Sequence, residues 1–268
     1  MTSVIRPCLR VGEKDISKDV KLYRYLPTNA FLYLITFKEL LFTRITDWPD
    51  SFEGSRFDFL KKISTLKDDF PGLTKYDFFA MCWSLQSEDR RLFNNDEDHK
   101  NAVEEILKNG SAAMWENYCK NGGVRIATTV DKLNMLLESK TSNCTIYRGK
   151  VYYEPERSWD ITIKVPTLIS TLFHKRISFR YEDEYRYIFV PNEKVSNSVI
   201  GVKIENLYWF LDEILVSPAT SKNKWISQTL YHIGVELTIN KDNKCVNSKD
   251  NHRFCRISQL YEKVSEIY

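Results

Sequence analysis

No run of this 268-residue chain approaches the ~18 consecutive apolar residues of a membrane-spanning helix, so none is expected. Glycine and proline are scarce, at 9 and 8 residues, which argues against long linkers and low-complexity tracts. Neither a Gly-x-Gly-x-x-Gly nor a Gly-x-x-x-x-Gly-Lys sequence occurs, so nothing points to a doubly wound nucleotide fold. The six cysteines (Cys8, Cys82, Cys119, Cys144, Cys245 and Cys255) contain no Cys-x-x-Cys pair. They read as reduced thiols rather than zinc ligands or a disulfide framework. His99, His174, His232 and His252 are scattered without His-x-x-x-His or His-Glu-x-x-His spacing, which excludes the usual zinc hydrolase patterns. No Gly-x-Ser-x-Gly elbow marks a hydrolase triad. Residues 1–20 carry charges throughout and no apolar stretch, so no secretory signal is expected and the cytoplasm is the expected compartment. The 39 basic and 36 acidic residues leave a net charge of only +3, which demands neither nucleic acid nor an anionic membrane as partner.

What the chain does have is aromatic residues: 15 Tyr, 15 Phe and 6 Trp, enough for a heavily packed interior and ring-lined pockets. Strands are expected at Lys21–Leu26, Glu39–Thr43, Phe78–Leu85, Val124–Thr128, Ser198–Ile204, Glu213–Val216 and Val235–Ile239. Helices are expected at His99–Lys108, Ala112–Cys119, Val130–Leu137 and Pro166–Phe173, with Thr28 or Asn29 capping a turn after Pro27. Lys61–Phe70 reads as a polar, helical connection, Thr220–Gly234 as a capped helix, and Thr145–Glu154 as a hairpin turning at Gly149-Lys150. Strands and helices intermix without a steady β-α-β rhythm. The expected fold is α+β, one domain with a mostly antiparallel curved sheet and helices packed around it. A loose arm (1–20), a core (21–240) and a basic C-terminal segment (241–268) divide the chain. Lys241, Lys244, Lys249, Arg253 and Arg256 of the last segment form either a solvated tail or a contact to nucleic-acid phosphates.

The most informative stretch runs from Arg180 to Val190, read as a strand ending at Pro191. Alternation places Glu182, Glu184 and Arg186 on one face, with Tyr181, Asp183, Tyr185 and Tyr187 on the other. Two readings follow. One is a solvated face whose charges satisfy one another; the other is a site that stabilises a cation. The second requires Glu184 and Arg186 to be at least partly buried and paired, since exposed ion pairs contribute only ~0–1 kcal/mol. Glu184→Gln is expected to abolish any activity that needs the negative charge while the melting temperature stays nearly unchanged.

Leu22-Tyr23-Arg24-Tyr25, Trp48-Pro49-Asp50-Ser51-Phe52-Glu53, Cys82-Trp83-Ser84-Leu85, Met114-Trp115-Glu116-Asn117-Tyr118 and Glu182-Asp183-Glu184-Tyr185-Arg186 occur in that order. The ordered set, over about residues 21–218, resembles a widespread bacterial family catalogued only as a domain of unknown function. Its members often carry Asp-Pro-Phe where this chain has Asp50-Ser51-Phe52. Arg24, Ser84 and Glu182-x-Glu184 also resemble the Arg, Ser and Glu-x-Glu order of ADP-ribosyltransferases. That resemblance implies NAD as substrate, with Glu184 as catalytic carboxylate and Glu182 orienting the acceptor. Arg24 and Tyr23 would grip the dinucleotide and Ser84 support it. By analogy such an enzyme serves as a bacterial toxin or phage-defence effector. Arg186 and Glu53 are further candidates, Glu53 either capping a helix or reaching the site. The alternatives are a non-catalytic nucleotide- or protein-binding module and, third, a metal-dependent nuclease using Glu53, Glu182 and Glu184. No dedicated metal site is expected.

Overall fold

The computed structural model describes residues 4–7, 14–48, 50, 77–87, 94–140, 144–154, 168–218, 238–239, 244–246, 254–258 and 260. Glu53 and the helices expected at Lys61–Phe70 and Thr220–Gly234 lie outside the described residues. In chain order the first elements are β1 (Val4–Pro7), β2 (Lys21–Pro27), α1 (Thr28–Phe37), β3 (Glu39–Arg44), β4 (Phe79–Ser84), α2 (Asp96–Asn109), α3 (Ala112–Tyr118) and β5 (Gly123–Thr129). There follow α4 (Val130–Lys140), β6 (Cys144–Lys150), β7 (Tyr152–Glu154), β8 (His174–Arg176), β9 (Glu184–Pro191), β10 (Val199–Lys203), α5 (Leu207–Phe210), β11 (Glu213–Val216), β12 (Thr238–Ile239), β13 (Lys244–Val246) and β14 (Phe254–Ile257). The protein is α+β with mostly antiparallel strand pairing. Among the described residues no helix is long and apolar enough to cross a membrane.

The chain forms two compact units, each assembled from separate segments. The first comprises Met1–Val20, Glu39–Ser84 and Val130–Lys203. Its strands run β1-β6-β9-β4-β3-β10, parallel at β1–β6 and antiparallel elsewhere. A separate short pair, β7 and β8, is parallel. Strand β9 lies between β4 and β6 and is buried at every position, as its Val, Ile, Phe and Tyr content requires of a central strand. Ile45, Phe78, Ala80, Ile169, Leu172, Phe173, Ile188 and Val190 pack into a core, with Trp48, Tyr147 and Tyr152 against it.

The second unit comprises Lys21–Lys38, Leu85–Thr129 and Ile204–Tyr268. Its strands run β2-β5-β11-β14-β13-β12, parallel only at β11–β14. Tyr25, Met114, Trp115, Cys119 and Leu215 form its described apolar cluster. Helix α2 starts on Asn95, whose side chain accepts from the Asp98 amide at 2.8 Å, and has Asp96, Glu97 and Asp98 in its first turn. It stops at Gly110, where φ is +80° and an added Cβ would collide with the Trp115 indole.

Several expectations are corrected. Tyr152–Glu154 does not fold back on β6 as a hairpin; it pairs with β8, because the Gly149-Lys150 sequence carries no strong two-residue turn. Helix α1 is not capped by Thr28 or Asn29: Pro27 holds the cap position without a side-chain hydrogen bond. The arm at 1–20 contributes β1, which pairs with β6. The C-terminal segment is not simply a solvated tail, since β14 lies in register along β11, Phe254 opposite Glu213.

Candidate functional site

The Arg180–Val190 stretch is not one strand. Residues Ile177–Glu182 form a 3₁₀ turn, and Asp183 adopts the left-handed conformation (φ 43°) before β9 begins at Glu184. Aspartate tolerates that conformation better than most residues, and its presence breaks the alternation on which Glu182 was placed. Glu182 therefore reaches the site from a turn, while Glu184 and Arg186 share a strand face.

The three side chains meet nonetheless, around a residue that the sequence pattern did not mark. Lys175, on β8, donates to Glu182 Oε2 at 2.5 Å and to Glu184 Oε1 at 2.8 Å. Arg186 donates from Nε and Nη2 to Glu184 Oε2 at 3.0 and 2.7 Å, and from Nη1 to the Leu172 carbonyl at 2.6 Å. Its guanidinium carbon sits 4.9 Å from the Trp48 ring, and Lys175 Nζ 4.7 Å from the Phe179 ring. The backbone of Glu184 is fixed as well: its amide donates to Tyr153 Oη at 2.8 Å and its carbonyl accepts from Val151 at 2.9 Å. Arg186 is wholly buried, and Glu182 and Glu184 nearly so, at 2 and 6% exposure. The solvated-face reading does not describe this arrangement.

The two carboxyls are driven apart. Burial alone would raise Glu184, but the Arg186 guanidinium and then the Lys175 ammonium overcome it and hold the group well below the usual carboxylate range. Burial, reinforced by the hydrogen bond and charge of Glu184, pushes Glu182 up to about 8 against the pull of Lys175. Tyr153 and Tyr181 are raised too, first by burial and then by the carboxylate charges. The folded protein thus binds the Glu182 proton more tightly than the unfolded chain does. Stability from this group is full below its ordinary value of 4.5 and is lost as pH rises toward about 8. Glu182→Gln, which cannot ionise, is expected to flatten that decline. Urea midpoints measured from pH 5 to 9 in both proteins check this, and parallel curves would contradict it.

Ser84 is buried at the end of β4, in direct register with Glu184, and Cys82 stands opposite Arg186. Opposite residues of an antiparallel pair share a face, so Ser84 borders the Glu184–Arg186 side of β9. Arg24 and Tyr23 lie on β2 of the other unit, Arg24 half-buried opposite Ile126 and Tyr23 buried opposite Ala127. Tyr23 presents its ring to the Arg125 guanidinium at 4.7 Å.

Two further charged centres escaped the sequence pattern. On β6, Arg148 donates to both oxygens of Asp15 at 2.8 and 2.6 Å and to Tyr185 Oη at 2.5 Å. Asp15 lies 133 residues earlier, so no local spacing reveals the pair. On β5, wholly buried Arg125 binds Gln86, Glu213 and the carbonyls of Ile106 and Leu107. The only local cue to Arg125 is a charge inside an otherwise apolar strand.

Among the described residues no three His, Cys, Asp or Glu side chains gather to hold a metal ion. Between Glu182 and Glu184 the cation position is taken by the Lys175 ammonium.

A family model described as a protein of unknown function (DUF2971) matches residues 114–187, a span that includes Met114-Trp115, Arg125, Arg148, Lys175 and Glu182-x-Glu184-x-Arg186. Over that span the chain is similar to a domain-of-unknown-function family, as the resemblance led one to expect. No curated protein and no solved structure matches the chain.

Proposed function

We propose that the chain is an NAD-using, ADP-ribosyltransferase-like enzyme, acting in the cytoplasm in the role of a toxin or defence effector. The observation that carries this reading is the pairing of Ser84 with a buried, ionised Glu184, beside a second carboxyl that can exchange a proton near neutrality. Breaking the bond between C1′ and the nicotinamide nitrogen sends the electron pair out with nicotinamide. Positive charge is left on C1′ and the ring oxygen. An ionised carboxylate in a dry setting stabilises that charge and accepts from the ribose hydroxyls. The acceptor then bonds C1′, and its proton passes to ionised Glu182.

One feature favours the binding-module alternative: Lys175 and Arg186 already engage both oxygens of Glu184, leaving few acceptor positions for a ribose hydroxyl. Nicotinamide release from NAD, with thermal shifts by NAD, ADP-ribose and ATP, separates the two. The enzyme reading expects release by the wild type and a loss of ~10²–10³ in kcat for Glu184→Gln, assayed where that variant is folded. No release, together with a shift by a nucleotide, would make it a binding module; neither release nor any NAD shift ends the transferase reading.

A further inference from the structure

Lys175 enters the site from outside the Glu-x-Glu-x-Arg pattern. It is carried by β8, where it stands opposite Tyr153 of β7 in parallel register. Both of its neighbours there are fixed: Tyr153 accepts from the Glu184 amide, and Arg176 donates to Asp50 Oδ1 at 3.0 Å. Arg186 reaches Glu184 on Oε2, whereas Lys175 spans the two carboxyls, taking Oε1 of Glu184 and Oε2 of Glu182. We propose that Lys175 is a positioning residue of the transferase site, bridging the carboxyls so that Glu182 can ionise beside Glu184 and accept the acceptor's proton. The inference rests on the transferase reading and deepens it.

The groups facing the pair are Lys175 from β8, Arg186 from β9, Tyr153 from β7 and Tyr181 from the 3₁₀ turn. Of these, the phenols are neutral and held so by burial and the adjacent negative charge. Once Glu182 ionises, two carboxylates face the two cations Lys175 and Arg186. Removing Lys175 leaves a second negative charge on Glu182 to be borne beside Glu184, with the ammonium that joined the two carboxyls gone. Ionisation of Glu182 then becomes harder. A guanidinium in place of the ammonium keeps the charge, and with it most of the effect.

The pH dependence of kcat/KM for NAD in the wild type, Lys175→Met and Lys175→Arg tests this. Lys175→Met is expected to move the rising limb upward by about one pH unit or more, roughly a tenfold loss below the midpoint. Lys175→Arg is expected to return most of the way to the wild-type midpoint. A uniform loss at every pH with an unmoved midpoint would overturn the proposal, since a merely structural lysine produces that pattern. If the wild type consumes no NAD, the transferase reading fails by itself. The lysine's control of Glu182 is then judged from ¹³C-carboxyl NMR titration of the same three proteins. A raised Glu182 midpoint in Lys175→Met sustains it, and equal midpoints refute it. Should Lys175→Met not fold, the double variant Lys175→Met/Glu182→Gln decides. Melting as high as Glu182→Gln alone shows that the lysine acts through Glu182; failure of the double variant to fold as well shows that it does not.

Discussion

Glu184→Gln is expected to lower the free energy of unfolding by about 3–5 kcal/mol, the usual cost of removing one partner from a buried ion pair. Were Glu184 an exposed strand residue, the same change would leave melting almost untouched. Burial reverses that expectation. Arg186 is fully buried and directs Nε and Nη2 to Glu184, while Lys175 directs its ammonium to the other oxygen. The amide of glutamine can accept with one oxygen only, and its NH₂ group would face a cation. Two positive charges would then sit in a poorly solvated setting with Glu182, a group that resists ionisation, as the remaining acid. Glu182→Gln should be far milder at neutral pH, because it replaces a carboxyl already held mostly protonated. Urea denaturation at constant m-value measures both. A loss below about 1 kcal/mol for Glu184→Gln would mean that water screens the quartet, as it does exposed pairs.

The parts of the fold that the sequence made legible are those whose own residues decide them. Strands β2, β4 and β11 are short apolar or aromatic runs, and α2 carries Ala102, Val103, Ile106 and Leu107 at helical spacing and stops at Gly110, although it starts at Asp96 rather than His99. What stayed hidden depends on distant partners. β1 and β14 are four residues each, too short for a periodic signal, and exist as strands because β6 and β11 offer them an edge. β7 and β8 likewise find each other across a long separation. The start of β9 was misplaced for a local reason, the left-handed Asp183, which alternation of polar and apolar residues cannot express.

The candidate site divides in the same way. Glu184 and Arg186 were visible as a pair because two-residue spacing on a strand forces them onto one face. Lys175 was not, because a 3₁₀ turn brings it back onto carboxyls seven and nine residues further along. Ser84 could be proposed from order alone, but only strand register puts it opposite Glu184. Charges that pair across long separations, such as Asp15 with Arg148, leave no mark in spacing.

Arg125 gives the second large expected effect, in the other unit. Arg125→Met should cost about 3–5 kcal/mol, comparable to Glu184→Gln, although Arg125 belongs to none of the proposed chemistry. Its Nη1 donates to Gln86 Oε1 at 2.6 Å and the Ile106 carbonyl at 2.9 Å. Its Nη2 donates at 2.6 Å to both the Leu107 carbonyl and Glu213 Oε1. Ile106 and Leu107 lie in the last turn of α2, where the helix dipole favours a cation, and the Ile106 carbonyl accepts from the Gly110 amide as well. Gln86 in turn donates to Tyr25 Oη, which also accepts from the Ser111 amide at 2.8 Å at the start of α3. One guanidinium thus ties the end of α2 to β5, β11 and, through Gln86, β2. Methionine fills much of the volume but withdraws the guanidinium donors from Glu213, Gln86 and the Leu107 carbonyl, each at the cost of a lost buried bond. Arg125→Lys retains the charge, yet a single ammonium cannot reproduce a planar fork aimed at four acceptors, so it should recover less than half of the loss. Hydrogen exchange in the last turn of α2 is expected to accelerate in both variants ahead of global unfolding. Lysine restoring full wild-type stability would show that charge alone, without the fork geometry, holds this unit together.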